Sequence, residues 1–308
     1  CPVTYLIVAS EALSSNAKLA DFVAAKRKIG FNVLVNYVAA TATPATVDAW
    51  IETQYATLSP KPSFVLIVGD ESGPYTVQTD VDPPLGAGTT FVVSRSDLRY
   101  GVIGDVAADN RIPSMYVGRF SVRSLADLNA QVDKTLWYER GQFAVATPDL
   151  SYLQKPLGAA GQDDNYATPY GNPHISYEFN HYLNAANGMP AAVHYLHPDA
   201  ATRDTEVVAH VSGGVSFYNY TAHGNEVCFG DPYFSIANID ALGNSGRYPL
   251  VIGNCCLTGS FGTDECFGEA WLNAPNKGAV GYIGASMSTS WRPDLGMGGG
   301  TYAADNNP

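Results

Sequence analysis

Short apolar runs alternate with amphipathic stretches along this chain, the pattern of strands and helices taken in turn. Residues 3–10 read as a buried strand. Residues 13–29 read as a helix with apolar positions near the helical period and Gly30 as its stop. A second strand, 31–38, leads to a helix that Thr43 caps and Pro44 opens, where the missing proline N–H costs nothing. A third strand, 63–68, ends at Gly69-Asp70-Glu71, and 72–88 is a surface loop rich in Pro, Gly, Asp and Thr. Strands at 91–93 and 115–118 flank a further loop at 101–113. Residues 124–140 form a helix in which Leu125, Leu128, Val132, Leu136 and Trp137 share one face, with Ser121 or Ser124 to cap it.

Gly141, Pro148 and Asp149 interrupt the pattern, so two fused subdomains are expected, 1–147 and 148–308. The second half resumes the alternation. Its first strand, 154–160, ends at Gly161-Gln162-Asp163-Asp164-Asn165. The apolar strand 215–221 delivers His223 and Gly224. After a polar, helix-like stretch at 236–246, the strand 248–253 delivers Asn254, Cys255 and Cys256. A last strand, 278–285, runs into a loop through Asp294, and Gly298-Gly299-Gly300 reads as a flexible tail. A strand–crossover–strand unit lies in a parallel sheet with both strand ends on one carboxyl edge, where open α/β sheets place their sites.

A histidine and a cysteine from neighbouring strand ends meet the needs of a thiol nucleophile. A free thiol titrates near about pH 8.5, so an adjacent imidazole is required to form the thiolate at neutral pH. Gly224 has no side chain to block an incoming carbonyl. Its N–H and that of Cys256 are suited to hold the oxyanion of a tetrahedral intermediate. Asp163, at a third strand end, is placed to accept from the far imidazole nitrogen and fix its tautomer; Asp164 is the neighbour that competes for the role. Taken singly, a buried cysteine or a strand-end histidine is most often structural. Their joint placement is what points to catalysis.

Of the 308 residues 46% are hydrophobic, enough for a sizeable core, and no apolar run reaches the ~18 residues of a membrane span. The net charge of −12 argues against nucleic acid and anionic membranes as partners; it is compatible with basic substrates, but an acidic balance mostly serves solubility. Five cysteines are too few for a disulfide scaffold at this length. Cys228, Cys255, Cys266 and His223 lack the C-x-x-C spacing of a zinc site, and His174, His181, His194, His197 and His210 show no metal-ligand spacing. A disulfide between Cys255 and Cys256 would abolish a thiolate enzyme. Few Lys and Arg with many Tyr, Asn, Gly and Thr suit a secreted or cell-surface bacterial protein.

Asn219-Tyr220-Thr221-Ala222-His223-Gly224, Ile252-Gly253-Asn254-Cys255-Cys256 and Cys266-Phe267-Gly268-Glu269 resemble the gingipain family of cysteine peptidases, its lysine-specific member in particular. The step from His223 to Cys256 (256 − 223 = 33) matches the family's. The likeness is specific over 216–291 and extends more weakly back to Val68-Gly69-Asp70. It implies a caspase-like α/β/α sandwich with mostly parallel sheets. It also implies Cys256, not Cys255, as nucleophile, His223 as its partner and Asp163 as the third residue, with Gly224 and Cys256 amides at the oxyanion. By the same resemblance Asp294 aligns with a pocket aspartate for a basic P1 residue and Trp291 with a pocket wall, although Arg292 beside Asp294 could neutralise it. Arginine-specific members keep their acid at a position held here by His174, which argues against strict Arg preference.

The chemistry requires no cofactor. Structural calcium (Ca2+) is implied by the family, without assigned ligands; Asp70, Glu71, Asp105 and Asp109 are the loop oxygen donors to consider. The expected function is cysteine endopeptidase cleavage preferring Lys or Arg at P1. A sortase-like transpeptidase with the same dyad and a non-catalytic secretion or adhesion component are the alternatives. The chain begins at Cys1 without a methionine or signal-peptide pattern and stops at Pro308, where family members continue, so a mature form or a fragment is expected.

Overall fold

The computed structural model describes residues 2–81, 95–104, 111–144, 149–262 and 264–306. Cys1, the expected strand at 91–93, and Asp105 and Asp109 lie outside them. Contacts divide the chain into two compact units, Cys1–Val132 and Asp133–Pro308.

In the first unit β1 (Thr4–Ser10), α1 (Ala17–Lys28), β2 (Asn32–Val38), α2 (Pro44–Thr57) and β3 (Pro62–Val68) follow in turn. The short strands β4 (Asp80–Val81) and β5 (Arg95–Ser96) pair with each other before β6 (Tyr116–Phe120). The main sheet is parallel, in the order β2-β1-β3-β6. α1 starts later than its periodicity suggests because Asn16 caps it, accepting from the Leu19 amide at 3.0 Å, while Glu11–Leu13 make a separate tight turn. Thr43 caps α2 as expected, accepting from the Thr46 amide, with Pro44 in the first turn. Leu6, Val8, Val65 and Ile67 share a core with Val47 and Ile51 of α2. Of the acids considered for calcium, Asp70 is engaged by Arg123 and Glu71 by Arg95, each at 2.8 Å.

α3 (Leu125–Ala144) opens where Ser124 and Asp127 exchange bonds: the Asp127 amide donates to Ser124 Oγ and the Ser124 amide to Asp127 Oδ2. Its second half belongs with the second unit. Lys134 Nζ donates to the Trp271 and Lys277 carbonyls, and Trp137 Nε1 donates to that of Gly246. The division of contacts therefore falls within α3, upstream of the turn-forming residues that follow it.

The second unit contains β7 (Pro156–Ala160), α4 (Asn172–His181), β8 (Val193–Tyr195), α5 (Asp204–Gly213) and β9 (Phe217–Thr221). Three two-residue strands follow, β10 (Gly224–Asn225), β11 (Cys228–Phe229) and β12 (Phe234–Ser235), then α6 (Ile236–Asp240), β13 (Leu250–Asn254), α7 (Phe267–Asn273), β14 (Gly281–Gly284) and α8 (Trp291–Asn306). Five strands make a parallel sheet in the order β14-β13-β9-β7-β8. Alternate residues face opposite sides. Leu157, Ala159, Tyr218, Tyr220 and Val251 share a core with Val207 and Val211 of α5 and Phe267 and Trp271 of α7. Ala160 instead meets Ile175 and Phe179 of α4.

Two sequence expectations are corrected here. The helix expected over 236–246 starts at Ile236 but is only the short α6, ending before Gly243 and Gly246, and the small antiparallel sheet β10-β11-β12 precedes it. The supposed loop at Asp294 and tail at Gly298 belong to α8. A Cβ at Gly298 would overlap His174 Nε2, so the bare glycine lets α8 lie directly on α4. That contact overrides glycine's poor helix propensity.

Candidate active site

Register places the chemistry. Asn254 of β13 and Ala160 of β7 both pair with Thr221 of β9. Cys256 and His223 lie two residues beyond their paired positions, and Asp163 three beyond Ala160. Parallel neighbours run ~4.8 Å apart, so all three issue from one carboxyl edge of the sheet. The His223 and Cys256 loops touch: a Cβ at Gly224 would stand 2.6 Å from Cys255 Sγ and 3.2 Å from the Cys256 carbonyl oxygen.

His223 Nε2 stands 3.0 Å from Asp163 Oδ2, with the imidazole 60% exposed and the carboxylate 16%. Asp163 Oδ1 accepts the amides of Asn165 and Tyr166, both at 2.9 Å. Partial burial pushes the Asp163 carboxyl up, but the two amides and His223 together outweigh it and hold it below the usual carboxylate range. Asp164 makes no such bond among the described residues. A Cβ at Gly161 would overlap the Asp231 carbonyl oxygen, so glycine there lets the Asp163 loop close on the loop beyond His223. Buried Tyr220 clamps that loop from below. Its hydroxyl donates to the His223 carbonyl at 2.7 Å and accepts the Gly230 and Asp231 amides at 3.1 Å.

The two adjacent cysteines differ. Cys255 is fully buried, and burial pushes its thiol far up, so it remains protonated. Cys256 is half-buried, and both thiols are free. Leu257 follows at φ 63°, a left-handed conformation costing about 1–2 kcal/mol for a residue with a side chain. The turn it makes brings the Leu257 amide to the Met287 carbonyl at 3.1 Å. Cys256 N–H has no partner among the described residues. Gly230 N–H donates to the His223 carbonyl, which makes that pair the hydrogen-bonded one of the β10–β11 ladder. The adjacent Gly224–Phe229 pair is then the non-bonded kind, so the Gly224 amide is left out of the ladder. Cys228 and Cys266 are buried, and burial pushes the Cys266 thiol up to about 12.

Trp291 and Asp294 sit in the first turn of α8. The indole lies edge-on to His223 at 5.7 Å and stacks on Tyr166 at 6.5 Å. Asp294 is 8% exposed; burial pushes its carboxyl up, partly offset by the Thr289 hydroxyl, which donates to Oδ2 at 2.9 Å, and by nearby His174. Arg292 is exposed and forms no ion pair with Asp294. Asn254 Nδ2 donates to the Asp294 carbonyl at 2.8 Å and stands 3.3 Å from Nδ1 of fully buried His174, whose Nε2 meets Asn219 and Glu178. Sequence reasoning missed Tyr220, Leu257 and Thr289. Only Tyr220 carried a signal, as an inward-facing strand position with a polar tip. Among the described residues no group of three or more His, Cys, Asp or Glu is arranged to hold a metal ion, and no helix is long and apolar enough to cross a membrane.

A parallel α/β sheet with cysteine, histidine and aspartate on one carboxyl edge defines a class of thiol hydrolase folds, and comparison with known proteins agrees. The profile of peptidase family C25 matches residues 1–303, and the chain belongs to that family. It is 34% identical over 301 residues to Lys-gingipain W83 of Porphyromonas gingivalis, covering 95% of this chain and 16% of that protein. It is 27% identical over 281 residues to gingipain R2 of Porphyromonas gingivalis strain ATCC 33277, covering 88% and 35%. A solved structure described as a protease superposes with a TM-score of 0.84 at 31% identity, over 97% of this chain and 62% of that one. The Arg-specific cysteine proteinase gingipain R superposes at 0.75 and 23% identity, over 96% and 65%, a likeness of fold alone. The chain thus spans only part of the length of these relatives.

Proposed function

We propose that this chain is a cysteine endopeptidase acting on protein or peptide substrates through Cys256, His223 and Asp163. The observation that carries this reading is the bond between Asp163 and His223 on the same sheet edge as the half-buried Cys256. Asp163 occupies Nε2, which leaves Nδ1 as the nitrogen that exchanges protons. The Cys256 sulfur, its proton taken by His223, adds to the scissile carbonyl carbon. The Gly224 and Cys256 amides receive the oxyanion. As the C–N bond breaks, the imidazolium protonates the leaving amine and a thioester remains. Water, deprotonated by His223, then hydrolyses the thioester and returns the thiol.

Asp294, buried at the start of α8 beneath Trp291's helical turn, is the acid we assign to a basic P1 side chain, Lys ahead of Arg. Its freedom from Arg292 and the likeness to Lys-gingipain support this. We infer action outside the cell, in a secreted or surface-bound form, from that same likeness. No cofactor is assigned to the chemistry, and structural calcium is proposed without assigned ligands. Matched fluorogenic peptides with Lys, Arg or a neutral P1 residue test the reading under reducing conditions, with and without calcium. Cleavage after Lys is expected to vanish in Cys256→Ala and to lose its basic preference in Asp294→Asn. Cleavage that survives in Cys256→Ala would sink the proposal; cleavage of neutral peptides alone would remove Asp294 from it.

A further inference from the structure

Thr289 lies in the bend between β14 and α8, and three of its atoms surround Cys256 Sγ. Its N–H donates to the sulfur at 3.3 Å, while its carbonyl oxygen and Oγ1 both stand 3.9 Å away. The hydroxyl proton is committed elsewhere, to Asp294 Oδ2 at 2.9 Å. Asp294 is held in turn by Asn254, whose Nδ2 donates to its carbonyl at 2.8 Å, and by its own amide on the Ser290 carbonyl at 3.0 Å. Asn254 is two residues before Cys256. The contacts therefore run in a closed ring from the sulfur through Thr289, Asp294 and Asn254 back to the strand end that carries the sulfur.

Resting on the reading of Cys256 as nucleophile, we propose that Thr289 is a positioning residue that holds its backbone N–H against the reactive sulfur, its hydroxyl bond to Asp294 keeping that amide in place. An N–H donor favours the anionic sulfur, because a hydrogen bond to an ionised acceptor is about twice as strong as one to a neutral acceptor. The hydroxyl cannot replace the amide while its proton lies on Asp294. Asp294 thereby serves the thiolate as well as the pocket.

The test is the rate of Cys256 alkylation by iodoacetamide as a function of pH, with steady-state peptide kinetics alongside, for the wild type, Thr289→Val and Thr289→Ser. Alkylation reads the thiolate whether or not any peptide is cleaved. In Thr289→Val, near in shape but without the hydroxyl, alkylation on the acidic side of the profile is expected to slow about tenfold, the profile moving about one unit to higher pH. kcat is expected to fall similarly with KM within about twofold, the mark of a loss felt only at the reacting sulfur. Thr289→Ser is expected to restore both, at an unchanged melting temperature. A valine variant with the wild-type alkylation profile overturns the proposal, as does a serine variant as impaired as the valine one. A Thr289-dependent alkylation profile in a protein that cleaves no peptide supports the placement of Thr289 and rejects peptide hydrolysis alone.

Discussion

Gly224→Ala perturbs the site at the seam between its two reactive loops, and the size of the effect follows from the distances. The new methyl would stand 2.6 Å from Cys255 Sγ, 3.0 Å from Thr258 Cγ2 and 3.2 Å from the Cys256 carbonyl oxygen. Ordinary contact lies at about 3.5–4.0 Å, so the loops must part by about 1 Å. Cys255 and Thr258 are fully buried and have no room to retreat. Overpacking of this kind costs about 1–3 kcal/mol, or several degrees of melting temperature. The same displacement separates His223 and the Gly224 amide from the sulfur, and misplacement by about 1 Å reduces turnover by about a hundredfold. Steady-state hydrolysis of a Lys-containing fluorogenic peptide and a thermal melt measure both losses. The mechanism makes a sharper demand on the pair Gly224→Ala with Cys255→Ala. Removing the sulfur at 2.6 Å should return part of the activity and stability, leaving only the two milder contacts, so the double variant is expected to couple favourably by about 1 kcal/mol. Full activity in Gly224→Ala, or a double variant no better than the sum of the singles, would refute the argument.

Three further outcomes follow from the same geometry. Tyr220→Phe removes the hydroxyl that clamps the His223 carbonyl and leaves the Asp231 amide without that acceptor, so denaturant titration should show a loss of about 1–2 kcal/mol, with kcat falling more than KM rises. Iodoacetamide at neutral pH should modify Cys256 and spare buried Cys255 in the folded protein; fragment mass spectra locate the adduct, and preferential labelling of Cys255 would reverse the assignment. Asp163 has a lowered native pKa, so its stabilisation is full above the unfolded value of about 3.9 and is lost as pH falls through the lower native value. Asp163→Ala should accordingly flatten the acid limb of melting temperature against pH, and an unaltered limb would contradict the bond to His223.

Most of the sheet could be read from the chain because parallel strands buried on both faces appear as unbroken apolar runs. The runs ending before His223, Cys256 and Asp163 are of this kind, so their carboxyl ends and their shared edge were legible. Caps at Thr43 and Ser124 were legible for a local reason, since the donor and acceptor lie within one turn. What escaped depends on contacts distant in sequence. Gly298 looks like a flexible position until His174 is found against it, and Asp294 looks like a loop acid until the helix it begins is docked on α4. Two-residue strands such as β10, β11 and β12 are too short to show a period. The left-handed turn at Leu257 leaves no trace in a leucine, and nothing about Thr289 distinguishes it from other threonines before Cys256 is brought beside it.

The order β14-β13-β9-β7 in space is nearly the reverse of synthesis, with Asp163 emerging first, then His223, then Cys256, and the Thr289–Asp294 bend last. A chain leaving the ribosome therefore holds its thiol before the strand that backs it exists. Until β14 and the bend after it are in place, the Thr289 amide cannot reach the sulfur, nor the Asp294 carboxylate the Thr289 hydroxyl. The ring of contacts around the Cys256 sulfur therefore cannot be complete until the last strand of the sheet and the bend after it have been made.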